Sequence, residues 1–225
     1  RRETRRSREL THPHIVRVHD IHEEAGAAAI AMEYLPGGSL HAWRATRPHG
    51  VLDCAGIVPW LPGLCAALDH AHAQGLVHRD LKPANLLVAA DSAVKISDFG
   101  IAQPLFETAL RVSQWAPSGT LAYMSPQQQF GEPASAADDI YALGATGYSC
   151  LDGGQTPMPA RLRQEQDGLE RAEDRWASRY SPQLLEVIDW CLRLPATTRP
   201  QSVYALQKVL NGELLDIVDP SWFDT

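Results

Sequence analysis

Pro36-Gly37-Gly38-Ser39 divides this chain into two unlike parts, because two glycines behind a proline interrupt any regular element. Ahead of it lie two short apolar or β-branched runs, residues 15–18 and 28–32. Polar residues 20–24 separate them, which predicts two strands joined by a hairpin-like turn. Behind it, Ile57, Leu61, Leu64, Leu68 and His72 recur at spacings of three and four, so they share one face of a helix that Gly75 ends. Pro59 and Pro62 fall inside that pattern and bend or delay its first turn. Two brief strands follow at 86–88 and 94–96, with residues 89–92 as the turn between them. The remainder reads as helices. Ile140, Leu143 and Gly147 form a stripe behind Asp138-Asp139. Ser181 caps and Pro182 opens a helix that buries Leu184, Leu185, Ile188, Cys191 and Leu192, and a last helix runs from Ser202 to Gly212. Residues before His12 read as a charged helix. The fold class is therefore α+β, a small strand-bearing piece followed by a mainly helical one.

At 225 residues, 44% hydrophobic and 21% charged, the chain can bury a core without disulfide or metal staples, and it falls outside the disordered and low-complexity classes. A net charge of −7 argues against binding nucleic acid by phosphate neutralisation. The longest apolar run, residues 25–32, is far short of the roughly 20 residues that a spanning helix needs, so no membrane segment is expected. Cys54, Cys65, Cys150 and Cys191 are widely spaced, with no C-x-x-C pair. They read as reduced thiols of a cytoplasmic protein. His12, His14, His19 and His22 have no matching carboxylate or cysteine frame, which speaks against a metal site among them. Five arginines in the first eight residues, with no apolar stretch behind them, are not a secretory signal, and an upstream part is expected to be missing.

The chemistry is concentrated in His78-Arg79-Asp80-Leu81-Lys82-Pro83-Ala84-Asn85 and, beyond the two brief strands, in Asp98-Phe99-Gly100. With these motifs in this order, the chain resembles the eukaryotic-like (Hanks-type) serine/threonine protein kinases of bacteria. The resemblance implies a two-lobe fold, with residues 1–35 a partial small lobe and hinge and residues 36–225 the helical lobe. It also implies transfer of the γ-phosphate of ATP, with Mg²⁺, to serine or threonine hydroxyls of protein substrates, autophosphorylation among them. Phosphoryl transfer asks a protein mainly to place a hydroxyl in line and to neutralise charge on the phosphate oxygens. By resemblance Asp80 orients the hydroxyl and accepts its proton, Lys82 meets the γ-phosphate, and Asn85 and Asp98 supply oxygen ligands to Mg²⁺. Lys82, two positions after Asp80, is the serine/threonine form of the loop.

Further landmarks follow the same pattern. Met32-Glu33-Tyr34-Leu35 resembles the segment whose backbone, at Glu33 and Leu35, meets the adenine edge. Leu87 lies beneath the ring or simply in the core. Glu3 matches the helix glutamate that pairs with an ATP-orienting lysine, or is a solvated charge. Thr108, Ser113, Ser118 and Thr120 fall in the stretch that corresponds to an activation segment, as phosphate acceptors for Arg79 or as loop hydroxyls. Asp139 matches the aspartate that braces the catalytic loop, His78 packs as a core histidine against Phe99, and Arg199 matches an arginine that normally faces a glutamate. Gln127 occupies that glutamate's place, so a weakened brace and an imperfectly satisfied Arg199 are expected. The pattern departs from the family in two places: these residues hold no glycine-rich loop, and their first lysine is Lys82. A binding or scaffold module with the same fold is the alternative to an enzyme.

Overall fold

A computed structural model describes residues 10–24, 27–99 and 118–211. The predicted leading helix and Glu3 therefore lie outside the described residues, as do Gly100, Thr108 and Ser113. Strand β1 (Val18–Glu24) pairs antiparallel with β2 (Ala27–Met32), from Val18 opposite Met32 to Glu24 opposite Ala27, with an irregularity between Val18 and Asp20. The expected strand at 15–18 is thus displaced, and residues 20–24, read as its turn, are the strand itself. The cause is a ribbon half open to solvent. Asp20, His22 and Glu24 recur with the period of two that any strand has, and that polar row imitates a turn. Ile15 and Val16 are buried and serve another sheet. Val16 N–H donates to Ile96 O at 2.8 Å, and Ile96 N–H donates to His14 O at 2.9 Å.

The glycine turn is stapled rather than free. Gly37 N–H donates to Val88 O at 3.0 Å and Val88 N–H donates to Gly38 O at 2.8 Å. A Cβ at Gly37 would lie 2.6 Å from Val88 O, so only glycine allows this approach. Ser39 then caps α1 (Leu40–Ala45), its Oγ accepting from Ala42 N–H. One turn, α2 (Cys54–Ile57), precedes α3 (Leu61–Ala73). Pro59 lies between them, Pro62 sits in the first turn of α3, and Gly75 ends the run at φ +71°. Strands β3 (Leu86–Val88) and β4 (Val94–Ile96) form a hairpin at the expected residues.

After the short helices α4 (Ser118–Leu121) and α5 (Pro126–Gln129) comes α6 (Ala136–Leu151), which begins in a Ser135–Asp138 capping box. The sequence showed one apolar stripe here, yet every residue from Asp138 to Leu151 is buried, because α6 is surrounded. Helices α7 (Ala160–Glu165), α8 (Ala172–Trp176), α9 (Pro182–Cys191) and α10 (Val203–Leu210) complete the order. Gly144 and Gly147 bring α6 close to α9, where a Cβ on Gly144 would lie 2.5 Å from Cys191 Cβ. Ser181 and Ser202 cap α9 and α10 as expected, while Asn211 is the C-cap of α10. Cys65, Cys150 and Cys191 are buried free thiols, and burial pushes Cys65 and Cys150 up to about 12. Among the described residues no helix is long and apolar enough to cross a membrane.

Candidate active site

The loop from His78 to Asn85 leaves α3 and returns to β3, and α6 holds its backbone from below. Asp139, fully buried on α6, accepts His78 N–H through Oδ2 and Arg79 N–H through Oδ1, both at 2.8 Å, and Oδ2 also lies 2.8 Å from His72 Nε2. These bonds hold Arg79 at φ +72°, and Asp98 stands at φ +63°; such angles are uncommon for residues other than glycine and store strain. His78 joins the two strained points. Its Nδ1 accepts Asp80 N–H at 3.2 Å, which assigns the proton to Nε2, the donor to Ser97 O at 2.7 Å. The imidazole also meets the Phe99 ring edge to face, with centroids 4.7 Å apart, as the sequence led us to expect.

Four candidate residues come together on this frame. Lys82 Nζ donates to Asp80 Oδ1 at 2.9 Å, and Asn85 Nδ2 donates to Asp80 Oδ2 at 2.9 Å and to Asp80 O at 2.7 Å. Ser97 Oγ lies within reach of both Asn85 O, at 3.0 Å, and Asp98 Oδ2, at 3.1 Å. With its amide nitrogen spent on Asp80, Asn85 keeps its Oδ1 as an acceptor. The cluster thus offers one flexible cation, one oriented carboxylate, the Asn85 amide oxygen and a second carboxylate, Asp98, at a partly open surface. Thr120 Oγ1 stands 3.5 Å from Lys82 Nζ, so it belongs to this cluster, and Ser118 opens α4.

Glu33 has a role that its own motif did not reveal. Lys95 Nζ donates to its Oε1 at 2.5 Å and Arg17 N–H to its Oε2 at 3.2 Å, while Glu33 N–H donates to Arg17 O at 2.9 Å. The Lys95 hydrogen bond holds the Glu33 carboxyl below its ordinary value. Lys95 stands opposite Leu87 in the β3–β4 hairpin, so the ion pair ties the segment before the glycine turn to the strand beside Leu87, which is half-buried. Leu35 is buried and Tyr34 is exposed. Sequence reasoning missed Lys95, Ser97 and Gln128, whose Nε2 donates to Arg79 O at 2.8 Å. Sixty-two positions separate Lys95 from Glu33, and no local pattern links them.

Arg199 corrects an expectation. It is 1% exposed, yet it donates to Arg193 O, Ala137 O, Leu194 O and Gln127 Oε1 at 2.6–3.0 Å and lies over the Tyr141 ring. Three backbone carbonyls and the glutamine satisfy its donors; what Gln127 does not supply is opposing charge, and burial lowers the Arg199 pKa. Gln127→Glu is therefore expected to raise the unfolding free energy measured in urea at neutral pH by about 1 kcal/mol, the gain of a charged over a neutral acceptor. Paired with Arg199, that carboxyl would titrate below its unfolded value, so the gain should vanish as pH falls through the folded value. An unchanged midpoint at pH 7 would show that the carbonyls and Tyr141 already suffice.

With this geometry in place, the comparisons with known proteins are consistent. Residues 1–211 match the protein kinase domain family. The chain is 36% identical over 157 residues to the serine/threonine-protein kinase PknB of Mycobacterium leprae, covering 68% of this chain and 25% of that protein. It is 37% identical over 158 residues to PknB of Mycobacterium tuberculosis, with the same coverage. The chain thus spans about a quarter of the length of these curated relatives. Among solved structures, the apo form of PpkA-294 superposes with a TM-score of 0.77 at 27% identity, over 93% of this chain and 72% of that one. The Mycobacterium tuberculosis PknI kinase domain does so with 0.71 at 27%, over 94% and 76%. Its fold is that of the protein kinases, and the chain belongs to the protein kinase domain family.

Proposed function

We propose that this chain is the larger part of a bacterial serine/threonine protein kinase domain that transfers the γ-phosphate of ATP to protein serine or threonine hydroxyls, its own among them. The observation that carries the reading is Asp80 held between Lys82 and Asn85, with both carboxylate oxygens fixed by donors. In this reading Asp80 orients the acceptor hydroxyl and takes its proton. Lys82 leaves Asp80 for the γ-phosphate as substrate enters. Asn85 Oδ1 and the Asp98 carboxylate are the hard oxygen donors that would hold Mg²⁺, and two protein oxygens suit an ion that keeps waters and phosphates as its remaining ligands. Bound there, Mg²⁺ would neutralise charge on the phosphate oxygens.

Adenine lies over Leu87, its edge toward the backbone of Glu33 and Leu35. Because Glu33 N–H is spent on Arg17 O, the Glu33 carbonyl is the group left to meet it. Arg79 receives a phosphorylated side chain of residues 100–125, where Thr108, Ser113, Ser118 and Thr120 are the acceptors. Glu3 pairs with an ATP-orienting lysine of the same domain. Residues 1–35 belong to the small lobe and hinge, and residues 36–225 to the helical lobe. The four free thiols support a reducing, cytoplasmic setting. The test is transfer of radiolabelled γ-phosphate in MgATP, to the protein itself and to a generic basic protein, by this chain and by the longest chain that contains it. Label on serine or threonine is the expected result. Label on tyrosine, or no transfer by either chain, would overturn the reading, the latter in favour of a binding module.

A further inference from the structure

In the helical lobe, residues of α1 and α2 and those just before α3 line a cleft of about 630 Å³. Trp60 is among its lining residues but is 4% exposed, with its indole N–H spent on Gly56 O. Trp43 is half-buried, with the Arg47 guanidinium 4.2 Å above its ring. Arg179 supplies a second exposed cation, and among the described residues no carboxylate forms an ion pair with Arg47 or Arg179. The one acid on the rim, Asp53, accepts Gly56 N–H at 2.8 Å as the cap of α2. A cleft with a part-exposed indole and two cations that no carboxylate pairs among the described residues fits an apolar segment that carries carboxylates.

The chain contains such a segment, and it follows a helix that contacts α3 near Trp60. Gln207 Nε2, in the last turns of α10, donates to Pro62 O at 3.1 Å, two residues from Trp60. Residues 212–225, outside the described residues, follow directly. They carry Glu213, Asp216, Asp219 and Asp224 with no lysine or arginine, and among their apolar side chains are the neighbours Trp222 and Phe223. Fourteen residues reach up to about 50 Å when extended, so distance does not prevent return.

We propose that residues 212–225 dock on this cleft, with Trp222 and Phe223 entering it beside Trp43 and the acids facing Arg47 and Arg179. The inference is independent of phosphoryl transfer. It is tested by replacing Phe223 with photoreactive benzoylphenylalanine in the full chain, irradiating, and mapping adducts by peptide mass spectrometry. Adducts within residues 43–60 of the same molecule are expected. Their yield should fall about fivefold or more in the Arg47→Glu/Arg179→Glu variant, should fall with added salt, and should be unchanged by Arg161→Glu at an exposed site outside the cleft. Unchanged urea midpoints will show that the variants remain folded. Adducts elsewhere on the molecule, adducts joining two copies, or no adduct at all would overturn the proposal.

Discussion

Asp80→Asn is expected to lower kcat by about 10²–10⁴-fold, the usual range for a positioned general base, in whichever form of the chain transfers phosphate. The variant keeps the side chain's size, but an amide presents one oxygen where the carboxylate presents two. Lys82 Nζ and Asn85 Nδ2 each use one of those oxygens, so one of the two donors loses its acceptor. The site is partly open and water can replace the lost bond, hence a stability change of no more than about 1 kcal/mol. Turnover within threefold of the parent would remove Asp80 from the role assigned to it.

Asp139→Ala should act through stability instead. The substitution leaves the buried His78 N–H and the neighbouring Arg79 N–H without acceptors, takes away the partner of His72, and releases the left-handed backbone at Arg79. Two orphaned backbone donors at a buried site cost about 2–5 kcal/mol together. Urea unfolding measures this directly. Asp139→Asn, which retains one oxygen, should fall between the two. A loss below about 1 kcal/mol for the alanine variant would mean that water or a neighbour takes over the N–H groups and that the loop is not braced from α6.

Much of this architecture could be read from the chain. The spacing of Leu61, Leu64 and Leu68, the prolines ahead of it and Gly75 behind it place α3, because period, start and stop agree. The hairpin 86–96 and the helices capped by Ser181 and Ser202 were legible for the same reason. β1 was misplaced because Asp20, His22 and Glu24 alternate with residues that give no continuous apolar row to read. In the site, the residues within one loop were legible as a motif, since their contacts span two to five positions. The Glu33–Lys95 pair and the Arg79–Gln128 contact were not, because such partners meet only after the chain has folded. The satisfied state of Arg199 was hidden in the same way, since three of its acceptors are backbone carbonyls, which leave no trace in side-chain identity.

The brace on α6 also sets an order of manufacture. Asp139 follows Arg79 by 60 residues, so at about 5–20 residues per second the ribosome delivers the loop some 3–12 s before the group that shapes it. During that interval the nascent chain already contains Asp80, Lys82, Asn85 and Asp98, but not the carboxylate that holds the His78 and Arg79 N–H groups. A product released before residue 139 thus carries all four side chains without the brace that shapes their loop.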